Sequence, residues 1–323
     1  MSPAEGLGGR AARRIIIDCD PGHDDAIAIM LAYGSPAIDL LAVTTVAGNQ
    51  TLDKVTHNAR VVATVCGMTG VPIAAGSAVP LVRPLLTARN IHGESGLDGP
   101  VLPDPTVPLD DRHAVDLIID TVMAGDPGTI TLVPTAPLTN IALAIRKQPA
   151  IIERVAEVVL MGGGYSKGNI TPAAEFNIAV DPEAAQAVFT APWKVTMVGL
   201  DLTHQALATP QVRQRFSALG TQAGTFVADI LEFFAGSYRT DQGFDHPPVH
   251  DPCAVARVID ASVMTVAPAH VEIELAGRLT TGMTVTDFRG RNGATMDTDV
   301  AITLDVQRFW DTVVEAVARI HPS

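Results

Sequence analysis

The chain has 323 residues, 47% of them hydrophobic, and a formal net charge of −13 at pH 7. Its length and apolar content suit one large core around a single α/β sheet, and no apolar run approaches the roughly 18 residues that a membrane helix needs. The acidic balance, with no basic cluster, argues against nucleic acid as a partner and leaves a small-molecule ligand open.

The predicted elements alternate between strands and helices over the first two thirds of the chain. Residues 1–13, rich in Gly, Ala and Arg, are expected to form a flexible N-terminal segment ahead of a single domain over 14–323. Short runs rich in Val, Ile and Thr then alternate with segments whose apolar residues lie three and four positions apart, which predicts a parallel sheet with helices on both faces. The predicted strands are 14–18, 40–46, 129–133, 157–161 and 194–198, and the predicted helices are 24–33, 50–66, 112–124, 137–147 and 181–190.

After residue 203 the pattern becomes mainly helical. The fold class predicted for the whole chain is therefore α/β, an open and mostly parallel sheet with a Rossmann-like core and a helical C-terminal region. In such sheets ligands bind at the carboxyl ends of the strands, where most of the unusual polar residues of this sequence occur. The C-terminal elements are helices near 210–218, 222–239 and 252–260, strand candidates at 270–275 and 299–305, and an amphipathic helix over 306–319.

Cysteine usage indicates the compartment. Cys19, Cys66 and Cys253 are odd in number and lack the spacing of a zinc site. Such residues are typical of free thiols in a reducing compartment. The apolar run that begins at residue 15 is too short for the core of a signal peptide, so we expect a cytoplasmic protein.

Four aspartates crowd the end of the first predicted strand, at Asp18, Asp20, Asp24 and Asp25. Carboxylates this close repel one another, so a folded protein must protonate, hydrate or neutralise them. Helix capping would account for Asp24 and Asp25, because acidic residues are favoured at a helix N-terminus, but not for the other two. All four together favour a site for a hard divalent cation, and Asp251, from a late loop, could complete its shell of oxygen ligands.

Other polar residues are ambiguous when read alone. His250 precedes a predicted helix and could donate a proton or could be structural. His92 lies in a Gly-rich loop that would suit an active-site lid. Asn169 and the segment 175–177 offer amide and carboxylate groups suited to sugar hydroxyls, and they could equally satisfy the backbone of their own loop.

Seven motifs span nearly the whole chain beyond residue 14. They are Asp18-Cys-Asp-Pro-Gly-His-Asp-Asp25, Val46-Ala-Gly-Asn49, Asn90-Ile-His-Gly93, Leu132-Val-Pro-Thr135, Val159-Leu-Met-Gly-Gly-Gly164, Ala174-Glu-Phe-Asn-Ile178 and Val249-His-Asp-Pro252. In this order they resemble the motifs of the inosine-uridine preferring nucleoside hydrolases, a family of nucleoside N-ribohydrolases. The resemblance implies a nucleoside hydrolase-like fold and calcium-dependent hydrolysis of ribonucleosides to free base and ribose.

The resemblance also implies roles for individual residues. Asp20 would be the general base on a water molecule, and His250 would protonate the departing base. The Ca²⁺ ligands would be Asp20, Asp25, Asp251 and the main-chain carbonyl of Thr135. The residues that would bind substrate are Asp24, Asn49, His92, Met161, Asn169, Glu175, Phe176, Asn177 and Tyr238.

The expected substrates are inosine and uridine, and the expected assembly is a homotetramer or homodimer. Pyrimidine-preferring relatives share most of the same motifs, so a preference for cytidine and uridine stays open. The aromatic residue that stacks on purines in purine-preferring members has no match here, because the segment 268–270 contains no Trp. Strong purine selectivity is therefore not expected.

Two other classes of protein compete with this interpretation. Aspartyl-phosphate phosphatases also begin with a strand followed by Asp-x-Asp, and they would use Asp18 as a nucleophile. Residues 21–22, Pro-Gly, replace the threonine usual there, which weakens that hypothesis. A non-catalytic nucleoside sensor would keep Asn49 and Glu175 but would need no base, so the presence of Asp20 argues against it.

Overall fold

The computed structural model describes residues 11–291 and 294–321, and its strands form one sheet. In chain order the strands are β1 (Arg13–Cys19), β2 (Ile38–Thr45), β3 (Ile73–Ala75), β4 (Ile130–Pro134), β5 (Val155–Met161), β6 (Val195–Val198), β7 (Met264–Ile273), β8 (Thr284–Asp287) and β9 (Thr298–Leu304). Their order across the sheet is β3-β2-β1-β4-β5-β6-β9-β7-β8. Neighbours from β3 to β9 pair in parallel, whereas β7 is antiparallel to both β9 and β8.

Helices connect the strands and cover both faces of the sheet. They are α1 (His23–Gly34), α2 (Leu52–Val65), α3 (Arg89–His92), α4 (Ala114–Ala124), α5 (Thr139–Lys147), α6 (Ile151–Arg154), α7 (Phe176–Val180), α8 (Pro182–Phe189), α9 (Leu200–Thr203), α10 (Pro210–Ser217), α11 (Gln222–Asp241), α12 (Pro252–Ile259) and α13 (Val306–Ala318). A short 3-10 turn follows α12.

The central strand β1 shows why the chain forms layers. Ile15 and Ile17 point to one face and pack in a cluster with α1, α2 and the C-terminal helices. Ile16 points to the other face and packs with α4, α5 and α8. A strand buried on both faces needs a continuous apolar run, which this segment has. Truncating any of the three to alanine is expected to cost about 2–5 kcal/mol of stability.

Strand register brings the polar segments together. In the sheet Asp18 lies opposite Thr44 of β2 and Pro134 of β4, so these three strands end at the same level. The Pro-Gly turn at 21–22 then leads directly into α1, whose first turn carries two aspartates. The loops after β1, β2 and β4 therefore meet at one edge of the sheet, as predicted for a parallel α/β fold.

The structure confirms the predicted fold class, and most predicted elements end within two residues of the observed ones. The strand predicted at 270–275 is the exception, because β7 begins six residues earlier, at Met264. Pro268 weakens the strand signal there since it lacks an N–H, yet it pairs with Asp299 inside the antiparallel ladder. The C-terminal region is accordingly less helical than predicted, and β8 was missed. The other elements without a prediction, β3, α3, α6, α7 and α9, are too short to show a period.

Three further expectations can be compared with the structure. The cysteines are free and buried, in agreement with the predicted thiols. Within residues 11–291 and 294–321, no helix has both the length and the apolarity to cross a membrane. Most of the predicted flexible segment, residues 1–10, lies outside the described residues, and Arg13 already belongs to β1.

Candidate active site

A cavity of about 550 Å³ lies at the carboxyl ends of β1, β2, β4 and β5. Two predicted site residues, Asp20 and Asp25, are 0% exposed and lie behind its lining. The other predicted site residues line the cavity directly. The predicted residues that line it are Asp24, Asn49, His92, Thr135, Met161, Asn169, Glu175, Phe176, Asn177, Tyr238, His250 and Asp251.

One end of the cavity is a cluster of carboxylates. Asp24, Asp25 and Asp251 each offer an oxygen, and these oxygens lie within 4.8 Å of one another. The sequence predicted Asp20 rather than Asp24 beside the other two. The Thr135 hydroxyl donates to Oδ1 of Asp25 at 2.9 Å, so the side chain of this residue contacts the same cluster. Its main-chain carbonyl, the predicted ligand, accepts from the amide of Asn177 at 3.0 Å.

Asp20 is held by Asn49. The main-chain N–H of Asn49 donates to Oδ2 of Asp20 at 2.7 Å, and its side-chain amide donates to Oδ1 of Asp20 at 3.3 Å and to Oδ2 of Asp25 at 3.2 Å. A Cβ on Gly48 would lie 2.0 Å from Asp20 Oδ2, so only glycine leaves room for this approach. The motif Val46-Ala-Gly-Asn49 therefore fixes the orientation of a buried carboxylate.

Burial and mutual repulsion define the electrostatics of this end. Burial, followed by the charge of neighbouring aspartates, raises the pKa of Asp20, Asp24 and Asp251. Burial also raises the pKa of Asp25. No lysine or arginine among the described residues contributes a compensating charge to these four groups. Buried oxygen ligands without a protein cation fit a hard divalent metal ion.

The sugar-binding candidates also satisfy their own backbone. Glu175 caps α7: its Oε1 accepts the N–H of Asn177 at 3.0 Å, and its Oε2 accepts the N–H of Gly163 at 2.9 Å. The side chain of Asn169 accepts the N–H of Phe176 at 2.9 Å. Burial raises the pKa of Glu175 to about 7. These groups hold their own loop and also line the cavity, and sugar binding by them stays a prediction.

A hydrogen-bonded histidine and tyrosine also line the cavity, and we call the part they line the second end. The Tyr238 hydroxyl lies 2.7 Å from Nε2 of His250, and the Thr203 hydroxyl lies 2.8 Å from its Nδ1. Burial lowers the pKa of His250 to about 3, so its ring is neutral at neutral pH. The main-chain N–H of His250 donates to Oδ2 of Asp24 at 3.2 Å, which connects this end to the carboxylates.

His92 occupies the end of α3 rather than an extended loop. Gly93 closes this short helix with a φ of 78°, a conformation that favours glycine. The His92 ring is buried and packs over Gly22, where an added Cβ would lie 2.4 Å from its Nδ1. A lid role for this segment stays a prediction.

Sequence reasoning missed several residues of the site. At the mouth of the cavity the amide of Asn90 donates to Asp241 Oδ1 at 2.6 Å, and the amide of Gln242 lies 3.4 Å from the carbonyl of Asn169. Asn90 stood inside a recognised motif and could have been found, whereas nothing in the sequence distinguishes the end of α11. The segment 268–270, which lacks the Trp that could stack on purines, belongs to β7 and does not line the cavity.

Asp18 does not lie where a nucleophile would need to be. It is 1% exposed, and its Oδ1 accepts hydrogen bonds from Thr44 at 2.6 Å and from Asn140 at 2.8 Å. Its side chain lies within the sheet and does not line the cavity. The phosphatase hypothesis required this carboxylate to attack a substrate, so the structure argues against it.

Comparison with known proteins agrees with this geometry. The family model for inosine-uridine preferring nucleoside hydrolases matches residues 15–311. The chain is 56% identical over 309 residues to an inosine-uridine preferring nucleoside hydrolase from Crithidia fasciculata, covering 95% of this chain and 98% of the relative. It is 48% identical over 305 residues to the pyrimidine-specific ribonucleoside hydrolase RihB of Escherichia coli, and the match covers 94% of this chain and 97% of the relative.

A solved structure is similar over nearly its whole length. The purine-preferring ribonucleoside hydrolase from Gardnerella vaginalis superposes with a TM-score of 0.90 at 32% sequence identity. The match covers 96% of this chain and 99% of that chain. The chain belongs to the inosine-uridine preferring nucleoside hydrolase family.

Proposed function

We propose that this protein hydrolyses the N-glycosidic bond of ribonucleosides and releases free base and ribose. The observation that carries the proposal is a single cavity lined by both a buried carboxylate cluster and a hydrogen-bonded histidine–tyrosine pair. Cleavage of this bond passes through a transition state in which the sugar becomes positively charged, so it needs negative charge at the sugar and a proton at the base.

The carboxylate end would hold Ca²⁺. Its ligands would be Asp20, Asp25, Asp251 and the Thr135 carbonyl, and Asp24 lies within the same cluster. When bound, the ion would neutralise the carboxylates and lower the pKa of a water molecule. A site that holds the 2′-hydroxyl of the sugar would favour ribosides over 2′-deoxyribosides.

Side chains of the protein would supply the other catalytic and binding groups. Asp20, oriented by Asn49, takes the proton of the attacking water. Glu175 and Asn177 line the cavity beside the cluster and would hold the ribose hydroxyls. The surrounding negative charge stabilises the cationic sugar as the bond breaks.

At the second end, His250 and Tyr238 would serve the departing base. Negative charge grows on the base as it leaves, which favours delivery of a proton to it. The neutral ring of His250 lies 2.7 Å from the Tyr238 hydroxyl, so this pair holds an N–H or O–H that would be donated to the departing base. The proton that Asp20 takes from the water would replace it. Thr203 holds the opposite nitrogen of the ring at 2.8 Å and keeps it aligned.

We further propose inosine and uridine as substrates, in keeping with the name of the Crithidia relative. The name of the RihB relative supports the alternative, a preference for cytidine and uridine. A cytoplasmic location, and assembly as a homodimer or homotetramer, stay predictions.

The direct test measures free ribose released from inosine, uridine, cytidine and adenosine in the presence of calcium. We expect release from inosine and uridine, and none with the near-isosteric variant Asp20→Asn. Nucleoside binding without release by the wild-type protein would instead identify a sensor, and release of phosphate from phosphate esters would restore the phosphatase hypothesis.

A further inference from the structure

His23, inside the acidic motif, has no role in the proposed reaction, yet its ring is held unusually firmly. It stacks on Phe233 with ring centroids 5.2 Å apart and planes 3° from parallel, and on Phe234 at 5.0 Å and 11°. Its Nε2 lies 2.8 Å from the main-chain carbonyl of Asp98. A carbonyl oxygen only accepts hydrogen bonds, so Nε2 carries the proton.

The other nitrogen of His23 must then carry a lone pair. The ring is 0% exposed, and neither ring nitrogen is hydrogen-bonded to a carboxylate among the described residues, so a second proton would be a buried and unpaired charge. Its Nδ1 lies 3.1 Å from Nδ1 of His92. Two facing lone pairs would repel, so His92 donates its Nδ1–H to His23.

A competing arrangement exists and is weaker. The main-chain N–H of His23 lies 3.3 Å from Nδ1 of His92 and could donate to it. That choice would move the His92 proton to Nε2 and leave two lone pairs facing each other at 3.1 Å. A proton on Nδ1 of His92 leaves the main-chain N–H of His23 without this acceptor, so each arrangement has a cost. We assign the proton to Nδ1 because the contact between the two rings, at 3.1 Å, is the shorter of the two.

The consequence appears in the cavity. His92 is 5% exposed and lines the cavity, and its Nε2 has no hydrogen-bond partner among the described residues. With the proton on Nδ1, this atom presents a lone pair to the ligand. An acceptor that is buried and otherwise unpaired discriminates strongly against a group that offers another lone pair.

We propose that His23 is a positioning residue that fixes His92 as a hydrogen-bond acceptor and thereby selects nucleobases with a ring N–H beside a carbonyl. Hypoxanthine and uracil have this lactam N–H, whereas adenine and cytosine carry a lone pair on the equivalent ring nitrogen. The selectivity part of this inference rests on the proposed function, but the tautomer of His92 does not.

The tautomer can be measured without any substrate. Protein labelled with ¹⁵N in the histidine rings shows, in long-range proton–nitrogen spectra, which nitrogen of each ring is protonated. The His92 signals are identified by their loss in His92→Asn. We expect wild-type His92 to be protonated at Nδ1, and His23→Leu to shift the proton to Nε2, because the main-chain N–H of residue 23 then donates to Nδ1. Protonation of Nε2 in the wild-type protein would overturn the proposal.

Steady-state kinetics of His23 variants distinguish a positioning role of this residue from a merely structural one. His23→Leu should lower kcat/KM for inosine and uridine about tenfold, mainly through KM, since one hydrogen bond is lost. The same variant should keep kcat/KM for 4-nitrophenyl riboside within about twofold, because that leaving group has no N–H. His23→Asn, whose side-chain oxygen can occupy the place of Nδ1, should restore most of the loss.

Equal losses on all three substrates would reduce His23 to a structural residue and overturn the selectivity claim. If the wild-type protein hydrolyses no nucleoside, the proposed function fails while the nitrogen spectra still decide the tautomer. If it hydrolyses nucleosides and His92 carries its proton on Nε2, this inference alone fails.

Discussion

The two ends of the cavity are built in different ways. The carboxylate end comes mainly from one short segment: Asp20 follows β1, and Asp24 and Asp25 lie in the first turn of α1. The second end, which would face the base and is called the base end below, combines His92 and His250 with their hydrogen-bond partners. These residues come from α1, α3, α9 and α11 and from the loop before α12. Concentrated charge can be recognised from a single motif, whereas a tautomer depends on neighbours that only the fold brings together.

The electrostatics of the two ends also differ. Burial, followed by the charge of neighbouring aspartates, raises the pKa of Asp20 and Asp251, and no lysine or arginine among the described residues offsets it, so the carboxylate end fits a cation. At the base end, burial lowers the pKa of His92 and His250, which keeps both rings neutral. The first end is expected to act through charge and the second through the direction of hydrogen bonds. Four changes can test this contrast.

The largest effect is expected at the carboxylate end. Asp20→Asn keeps the size of the side chain and removes the proposed base, so turnover of inosine should fall about 10²- to 10⁴-fold. Steady-state release of ribose measures the loss. Asp53→Asn changes the same residue type at an exposed position of α2 and should leave the rate unchanged. A rate for Asp20→Asn near that of this control would refute the base assignment.

At the base end, His250→Ala should lower kcat for inosine about 100-fold, within the range for loss of a general acid. The loss on 4-nitrophenyl riboside should be much smaller, because that leaving group departs without a proton. The ratio of the two rates is the measurement. A similar loss on both substrates would remove the acid role of His250.

A steric change should have an intermediate effect. In Gly22→Ala the added Cβ would meet Nδ1 of His92 at 2.4 Å and Nδ2 of Asn49 at 3.0 Å, so the His92 ring must move. The φ of −100° at Gly22 suits alanine, which isolates crowding as the cause. We expect KM for inosine to rise about tenfold, since a hydrogen bond to the base is misplaced. Unchanged KM values would show that the His92 ring does not contact the base.

The smallest expected effect is a change in folding stability with pH, and the pKa shifts give its direction. Burial raises the pKa of Glu175 from 4.5 to about 7 and that of Asp18 from 3.8 to about 7. Because the folded-state pKa is the higher one, the stability from these groups is present below about pH 4 and is lost as the pH rises towards 7. Protein treated with a chelator should therefore have a lower melting temperature at pH 8 than at pH 5. Addition of calcium should raise the melting temperature at pH 8.

Glu175→Gln serves as the control for this pH effect. The amide oxygen can still cap α7 but cannot ionise, so the chelated variant should lose less stability between pH 5 and pH 8 than the wild-type protein. An equal loss in both proteins would assign the effect to other groups.

Sequence patterns predicted the layers of the fold because parallel strands such as β1 and amphipathic helices such as α13 carry long, regular apolar repeats. They predicted the cluster of aspartates because like charges rarely crowd without a ligand. They did not indicate that Thr203 holds His250, or that His23 determines the tautomer of His92. Those contacts join residues 47 and 69 positions apart, and each depends on the packing of a ring.

The most direct test of the account is release of ribose from inosine by protein treated with a chelator, before and after calcium is added back. Because no lysine or arginine within residues 11–291 and 294–321 compensates the buried carboxylates, we predict that chelation abolishes release and that calcium restores it. Full activity in the chelated protein, with no metal bound, would contradict the assignment of the carboxylate end as a metal-dependent catalytic site.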